Sequence, residues 1–490
     1  MKVIKRFFYL FLIAFTFFIA YLLFNTFNYP SRQLEVAPVL PSSIDTKAVL
    51  RFQSALRIKT VSPEDPTEFD STEFNKFSEF LLSTYPLVDS LLEKMVFSNY
   101  SYLYKWSGTD PELKPAVIMA HLDVVPVNEN DLASWEIPPF SANILNDTIW
   151  ARGTIDDKVA VIGIMESLEM LIQEGFIPKR TIYISLGHDE EVGGQAGAAL
   201  IANYLHEQNV EAEFVLDEGG TIVQGMVPGI DEDVALIGVA EKGFVSLKLK
   251  VEMEGGHSSM PNNETAITVL SSAINNLNDH PFAPAISEPL AGFIEYLGPE
   301  MPFLNRIVFA NMNIFSSVII QMYQKSSAGN ALVRTTTAAT IFQSGIKDNV
   351  VPQSAEATVN FRLLPGNSID ELITQVKKRL DDDRIRISKA PFASEPSATS
   401  GTETFGYQTL SKTIKQVFPE VLTAPNLLVG ATDSRHFEKI SKNIYRFLPI
   451  YINSNNIKTF HGTNERIASK DFHQAIRFYK QIILNSSDIK

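Results

Sequence analysis

Five places in this chain carry side chains that bind cations or move protons: His121 with Asp123, Asp156-Asp157, Glu190-Glu191, Asp217-Glu218, and His461. Most stand at the ends of apolar runs. Ala116 to Ala120 has the length and composition of a buried strand and ends in His121. Side chains two apart on a strand point the same way, so His121 and Asp123 would leave the sheet side by side. Each place has an ordinary explanation when taken singly. Asp156-Asp157 precedes a helix, Glu190-Glu191 could be a solvated turn before Gly193-Gly194, and His461 sits in a Phe-His-Gly turn. Two adjacent acids at the end of an apolar strand are less ordinary, because holding them together costs free energy. As a set they offer imidazole and carboxylate, the donors that hard or borderline divalent ions take. Two such ions need one bridging carboxylate and a pair of terminal ligands each.

The elements that must hold these residues alternate between helix and strand. A helix is predicted over Val159 to Ile172, a strand over Thr181 to Leu186, a helix over Gln195 to Gln208 and a strand over Glu213 to Leu216. This alternation implies an α/β catalytic domain with a mostly parallel central sheet and helices on both faces. Ligands collect at the carboxyl ends of such strands, where His121, Glu190, Glu191 and Asp217 fall.

The pattern changes near Glu241. Strands at 244–251, 337–343, 355–363 and 384–387, with helices at 266–277 and 368–380, suggest an inserted ferredoxin-like α+β domain that serves as lid or dimerisation unit. An extra apolar segment, 281–335, lies inside it. Arg306 to Tyr323 reads there as one helix, buried or interfacial, because Asn311, Asn313 and Gln321 argue against a membrane span. The expected division is 1–6 cytoplasmic, 7–24 transmembrane, 25–44 linker, 45–240 catalytic, 241–395 inserted and 396–490 catalytic again.

Composition narrows the classes. At 490 residues, more than one domain is expected, and 45% hydrophobic content implies a sizeable core. A net charge of −14 without a long basic run excludes nucleic acid as an expected partner. With no cysteine, disulfides and thiolate metal sites are excluded. Phe7 to Phe24 is uncharged and apolar, close to the roughly 20 residues that span a bilayer, and follows Lys2, Lys5 and Arg6. The charge asymmetry predicts a cytoplasmic N-terminus and an exported body, with the run as a signal-anchor; a cleaved signal, giving a secreted chain, is the alternative. Glycosylation sequons occur at Asn99, Asn146, Asn263 and Asn485.

The motifs together resemble the two-zinc aminoacylase/carboxypeptidase family, which includes carboxypeptidase S, carnosinase and the secreted N-acyl-amino-acid hydrolases. They are His121-Leu-Asp-Val-Val-Pro126, Arg152-Gly-Thr-Ile-Asp-Asp-Lys158, Gly187-His-Asp-Glu-Glu-Val-Gly-Gly194, Leu216-Asp-Glu-Gly219, Gly255-Gly-His-Ser-Ser-Met-Pro261 and His461. One departure is Ala151, where many relatives have glycine. The resemblance implies that Asp156 bridges two divalent ions, zinc being the expected metal. His121 and Asp217 would complete one site, and Glu191 and His461 the other. Glu190 would be the general base, taking a proton from an acidified water and passing it to the leaving amine. Asp123 would orient His121 from behind. His257, on the inserted domain, matches the histidine that steadies the oxyanion, often across the interface of a homodimer. Arg435 is the best candidate to clamp a substrate carboxylate, Asn349 resembles a substrate-contacting position of the inserted domain, and Arg362 is a third candidate contact.

The leading expectation is a membrane-anchored hydrolase of a peptide or N-acyl amide bond next to a free carboxylate, carboxypeptidase S-like. An N-fatty-acyl-amino-acid hydrolase/synthase is the alternative. A non-catalytic binding homologue should have lost a ligand or the base, and an aminopeptidase would favour an acidic pocket over Arg435. Phe303, Leu304, Ile307, Val308, Phe309 and Phe315 could line the entry of an apolar acyl group.

Overall fold

The computed structural model describes residues 2–40 and 44–487. Its centre is a ten-stranded mixed sheet. Four neighbouring strands, Ile182–Gly187, Ala116–His121, Phe214–Asp217 and Ile444–Arg446, run parallel, and antiparallel strands continue the sheet on either side. Alternate residues of Ala116–His121 feed opposite cores. Ala116, Ile118 and Ala120 join one apolar cluster, Val117 and Met119 another. Helix Lys158–Gln173 covers the first face and helix Ala198–Glu207 the second, so the sheet is buried on both sides.

The C-terminal helix Ser469–Ser486 packs against Lys158–Gln173. Gly163 permits the approach: a Cβ there would stand 2.9 Å from the Tyr479 ring. Phe472 stacks on Phe52 at 4.3 Å beneath the same helix. The Asn485 sequon lies inside this packing, its amide donating to Thr413 and Gln416 at 2.8 Å each, whereas Asn99, Asn146 and Asn263 are exposed.

A second sheet has the order Thr336–Ser344, Ser354–Leu363, Gly243–Glu252, Ile385–Ser394, all antiparallel. Helices Ala266–Asp279 and Ile369–Leu380 cover one face and share its apolar cluster. Both helices begin in capping boxes, on Thr265 and Ser368. Order and connectivity are those of the ferredoxin-like unit. The last strand runs to Ser394, seven residues beyond the expected end, and so reaches the catalytic body.

The apolar segment departs from expectation. Arg306 to Tyr323 is not one helix but two, Phe303–Ala310 and Met312–Tyr323, bent by 117°. The break is at Asn311, whose backbone leaves the helical region (φ −118°, ψ 39°). Its side chain donates to the Ile307 and Leu22 carbonyls. The pair is half-buried: Phe309 and Ile319 are shielded and Val308, Met312 and Tyr323 pack against the main core, whereas Phe303, Leu304, Ile314, Val318 and Met322 are exposed.

The N-terminal helix is Lys2–Phe27. Of the stretch expected to link it to the body, positions 41–43 lie outside the described residues. Residues 28–40 run along the body. Gln33 exchanges hydrogen bonds with Thr423 (2.8 and 3.0 Å), and Val39 N–H donates to the Gln416 carbonyl.

Candidate active site

The strand Ala116–His121 delivers His121 to the end of the sheet, with both ring nitrogens engaged. Nδ1 faces Asp123, 3.1 Å from its carbonyl and 3.3 Å from its carboxylate; Nε2 faces Asp156 Oδ1 at 3.0 Å. The Asp156 carboxylate stands between two imidazoles, because its Oδ2 is 2.9 Å from His461 Nε2. The same His461 nitrogen is 3.3 Å from Glu191 Oε2. Two groups of donors result, each within 4.8 Å: His121, Asp156 and Glu218, and Asp156, Glu191 and His461. They share Asp156.

Asp123 has a second task. Its two carboxylate oxygens accept the backbone N–H groups of Glu190 (3.2 Å) and Glu191 (3.1 Å). One buried carboxylate thereby aligns the imidazole of His121 and the turn that presents both glutamates. Burial, with the neighbouring Asp433, Glu191 and Asp123 carboxylates, pushes the Glu190 carboxyl well above its usual range. Hydrogen bonds to Asp156 and Glu191 push His461 up to about 10. The site thus holds more negative charge than its own side chains balance, and Glu191 Oε1 is buried without a hydrogen-bond partner. Imidazole and carboxylate donors in this arrangement fit two divalent cations.

Asp217 takes a different place from the one expected. It lies at the end of strand Phe214–Asp217, and its Oδ2 accepts the Ser434 N–H at 2.8 Å. Consecutive residues at a strand end face opposite ways, so Glu218 turns toward His121 and Asp156 instead. Asp217 is tied to a buried network behind the two donor groups. Ser434 Oγ accepts from the fully buried Arg446 (3.0 Å), whose Nε also meets Glu241 at 2.9 Å. Glu241 in turn accepts the Thr432 N–H at 2.9 Å.

His461 is held in the left-handed region (φ 52°), a strained backbone for a branched ring residue. Its carbonyl accepts Arg152 Nη2 at 3.2 Å, and Arg152 Nη1 meets the buried Glu465 at 2.6 Å. Glu465 also accepts the Ile155 N–H at 2.9 Å, one residue before Asp156. Lys158, buried in the next turn, donates to the Ala55 and Ile58 carbonyls.

Arg435 Nη2 donates to the Gly193 carbonyl at 2.9 Å, just after the glutamate turn. Its guanidinium lies 5.7 Å from the Phe392 ring, Phe392 is 5.3 Å from Phe244, and Arg362 covers Phe244 at 4.6 Å. Arg435 and Arg362 are therefore two ends of one stack, in which Phe244 and Phe392 went unremarked in the sequence. Phe244 opens an expected strand, but Phe392 lies beyond the expected end of its own, so the sequence carries no signal that the two rings meet. Arg435, His436, Phe392 and Glu241 line a cavity of about 610 Å³ between the two sheets' bodies. Asp433, also missed, is buried against Gly187 and Gly194; a Cβ at Gly194 would fall 1.8 Å from its Oδ1.

His257 and Asn349 are neighbours on the inserted domain. Gly256–His257 pairs with Val350–Val351, and Ser258 N–H donates to the Asn349 carbonyl. His257 is exposed, hydrogen-bonds Ser259 at 2.8 Å and belongs to neither donor group.

Residues 117–485 match the peptidase family M20/M25/M40. A probable carboxypeptidase S-like protein of Dictyostelium discoideum is 40% identical over 476 residues, covering 95% of this chain and 91% of that one. An N-fatty-acyl-amino acid synthase/hydrolase of Xenopus tropicalis is 39% identical over 485 residues, covering 97% and 94%. Among solved structures, an M20 family metallo-carboxypeptidase from Sulfolobus solfataricus superposes with a TM-score of 0.66 at 18% identity, over 90% of this chain and 99% of that one.

Proposed function

The chain belongs to peptidase family M20/M25/M40 and is a hydrolase of that family; from this premise we propose that it cleaves an amide bond next to a free carboxylate, in a peptide or an N-acyl amino acid. The observation that carries the reading is Asp156 standing between His121 and His461, with Glu190 fixed beside them through Asp123.

His121, Asp156 and Glu218 would hold one divalent cation, and Asp156, Glu191 and His461 the other, zinc suiting these donors. Bound there, the two ions would polarise the amide carbonyl and lower the pKa of water. Glu190 is left outside both donor groups. Its carboxylate takes the proton of the attacking water and returns it to the leaving nitrogen. Arg435 would receive the substrate carboxylate in the cavity it shares with Phe392, with Asn349 and Arg362 as further contacts. His257, presented by a second copy of the chain in a homodimer, would donate to the developing oxyanion.

The N-terminal helix is exposed and long enough to span a bilayer, which fits a signal-anchor, and Lys2, Lys5 and Arg6 before its apolar run favour an exported body. Protease added to sealed vesicles of known orientation tests this: digestion of the body only from the cytoplasmic face would contradict it.

A substrate panel separates the two chemistries. The full chain, supplied with zinc, is assayed on dipeptides and on N-acyl amino acids of rising acyl length, each with its carboxylate free or blocked as an amide. Blocking should abolish turnover, and turnover that survives it would contradict the reading. Each methylene buried contributes ~0.8 kcal/mol, so kcat/KM should climb with acyl length if an apolar pocket receives that group. A flat series would leave a peptidase of small dipeptides.

A further inference from the structure

We infer that the bent helix pair Phe303–Ala310 and Met312–Tyr323 is a bilayer-docking element, its apolar stripe lying in the membrane interface beside the N-terminal helix. The inference rests on the reading of that helix as a membrane span.

The placement follows from where the helix ends. At 1.5 Å per residue, about 20 residues cross the hydrocarbon, so the uncharged run ending at Phe24 leaves the lipid there. The next residues are bound to the bent pair. Asn25 Nδ2 donates to Asn311 Oδ1 at 2.8 Å, and Asn311 Nδ2 to the Leu22 carbonyl at 3.2 Å. Phe27 and Phe303 lie 6.1 Å apart, and Arg306 donates to the Tyr29 carbonyl at 3.2 Å. A span that leaves the bilayer at Phe24 therefore sets the bent pair at the membrane surface.

The exposed side chains of the pair are of the kind that position requires. Val318 and Met322 stand at i+4 spacing beyond a kink at Phe315 (φ −102°, ψ 15°), so they share one helix face, and both are exposed, as is Ile314 before the kink. Leu304 is 76% exposed on the preceding helix. No acidic residue occurs between Met301 and Val333, and the cations are Arg306 and Lys325. Neither helix is long enough to cross: 8 and 12 residues rise about 12 and 18 Å. An apolar stripe on short helices, polar at its margins through Ser317 and Gln321, fits the headgroup–acyl boundary. This occupant is favoured over a second copy of the chain because the anchor already holds the face against lipid.

The chain has no cysteine, so single reporters can be introduced without background. Leu304→Cys and Val318→Cys, with Val96→Cys and Ile346→Cys as exposed controls away from this face, are each labelled with a small fluorophore in the full chain. Phe11→Cys reports the span itself. The proteins are reconstituted in phosphatidylcholine vesicles with or without acyl chains carrying a nitroxide quencher. The expected result is roughly twofold or stronger quenching at 304 and 318, as an interfacial helix requires, and none at 96 and 346. Quenching at Phe11 without quenching at 304 and 318 would overturn the inference and leave the span standing. Absence of quenching at Phe11 would instead remove the span. Self-quenching between copies labelled at 318, unchanged by quencher lipid, would assign the stripe to a second copy and overturn the proposal.

Discussion

Arg152 and Glu465, 313 residues apart in sequence, meet in a buried ion pair at 2.6 Å, and the same arginine holds the carbonyl of His461. The pair ties the loop carrying one outer imidazole to the loop carrying Asp156. It explains how a C-terminal histidine with a strained backbone is kept within 2.9 Å of Asp156.

Glu465→Gln should therefore loosen the site as well as the fold. Leaving Arg152 buried without its anion costs about 3–5 kcal/mol. Denaturant unfolding and metal analysis of the same preparation check this. The variant should unfold earlier and retain less metal, and unchanged stability with full metal content would refute the role.

Asp123 accepts from the backbone of both glutamates and faces His121 Nδ1. Asp123→Asn keeps the shape but puts a donor where acceptors are needed. Loss of such an orienting carboxylate typically costs 10–100-fold in metal affinity or activity. Zinc titration followed by turnover at saturating zinc separates the two effects, and wild-type values in both would contradict this placement.

Asp217 and Glu218 offer a sharp comparison because they are adjacent and chemically alike. Glu218→Gln should lower cation affinity directly. Asp217→Asn should retain both cations and instead lower stability, since its partner is the Ser434 N–H and, behind it, Arg446 and Glu241. The reverse pattern of metal content would restore Asp217 as the ligand.

Arg435→Lys should raise KM for carboxylate-bearing substrates more than it lowers kcat. A lysine cannot reproduce the planar fork that holds Gly193 and covers Phe392. Steady-state kinetics decide it; equal KM values would remove Arg435 from carboxylate recognition.

Much of this arrangement was legible in the sequence for a physical reason. Parallel strands buried on both faces are written as continuous apolar runs, so His121 and the Glu190-Glu191 pair mark their carboxyl ends directly. The helical patterns at 266–277 and 368–380 likewise mark the two helices of the inserted unit, Ala266–Asp279 and Ile369–Leu380. What was not legible depends on direction or on distant partners. At the end of strand Phe214–Asp217 a one-residue difference in facing turns Glu218 toward His121 and Asp156 and leaves Asp217 against the Ser434 N–H. At the break, Asn311 donates to the Leu22 carbonyl, 289 residues earlier, a contact that no local periodicity reports. The stack linking Arg362, Phe244, Phe392 and Arg435 exists only once three strands of the second sheet are paired and meet the turn Asp433–Lys439 of the catalytic body.

The central claim is that Glu190 moves protons without binding metal. Glu190→Gln tests it most directly, with metal content and turnover measured on one preparation beside His461→Ala. The account predicts that Glu190→Gln keeps both cations and loses nearly all hydrolysis, whereas His461→Ala loses metal and activity together. Near-normal turnover of Glu190→Gln, or loss of a cation from it, would contradict the assignment.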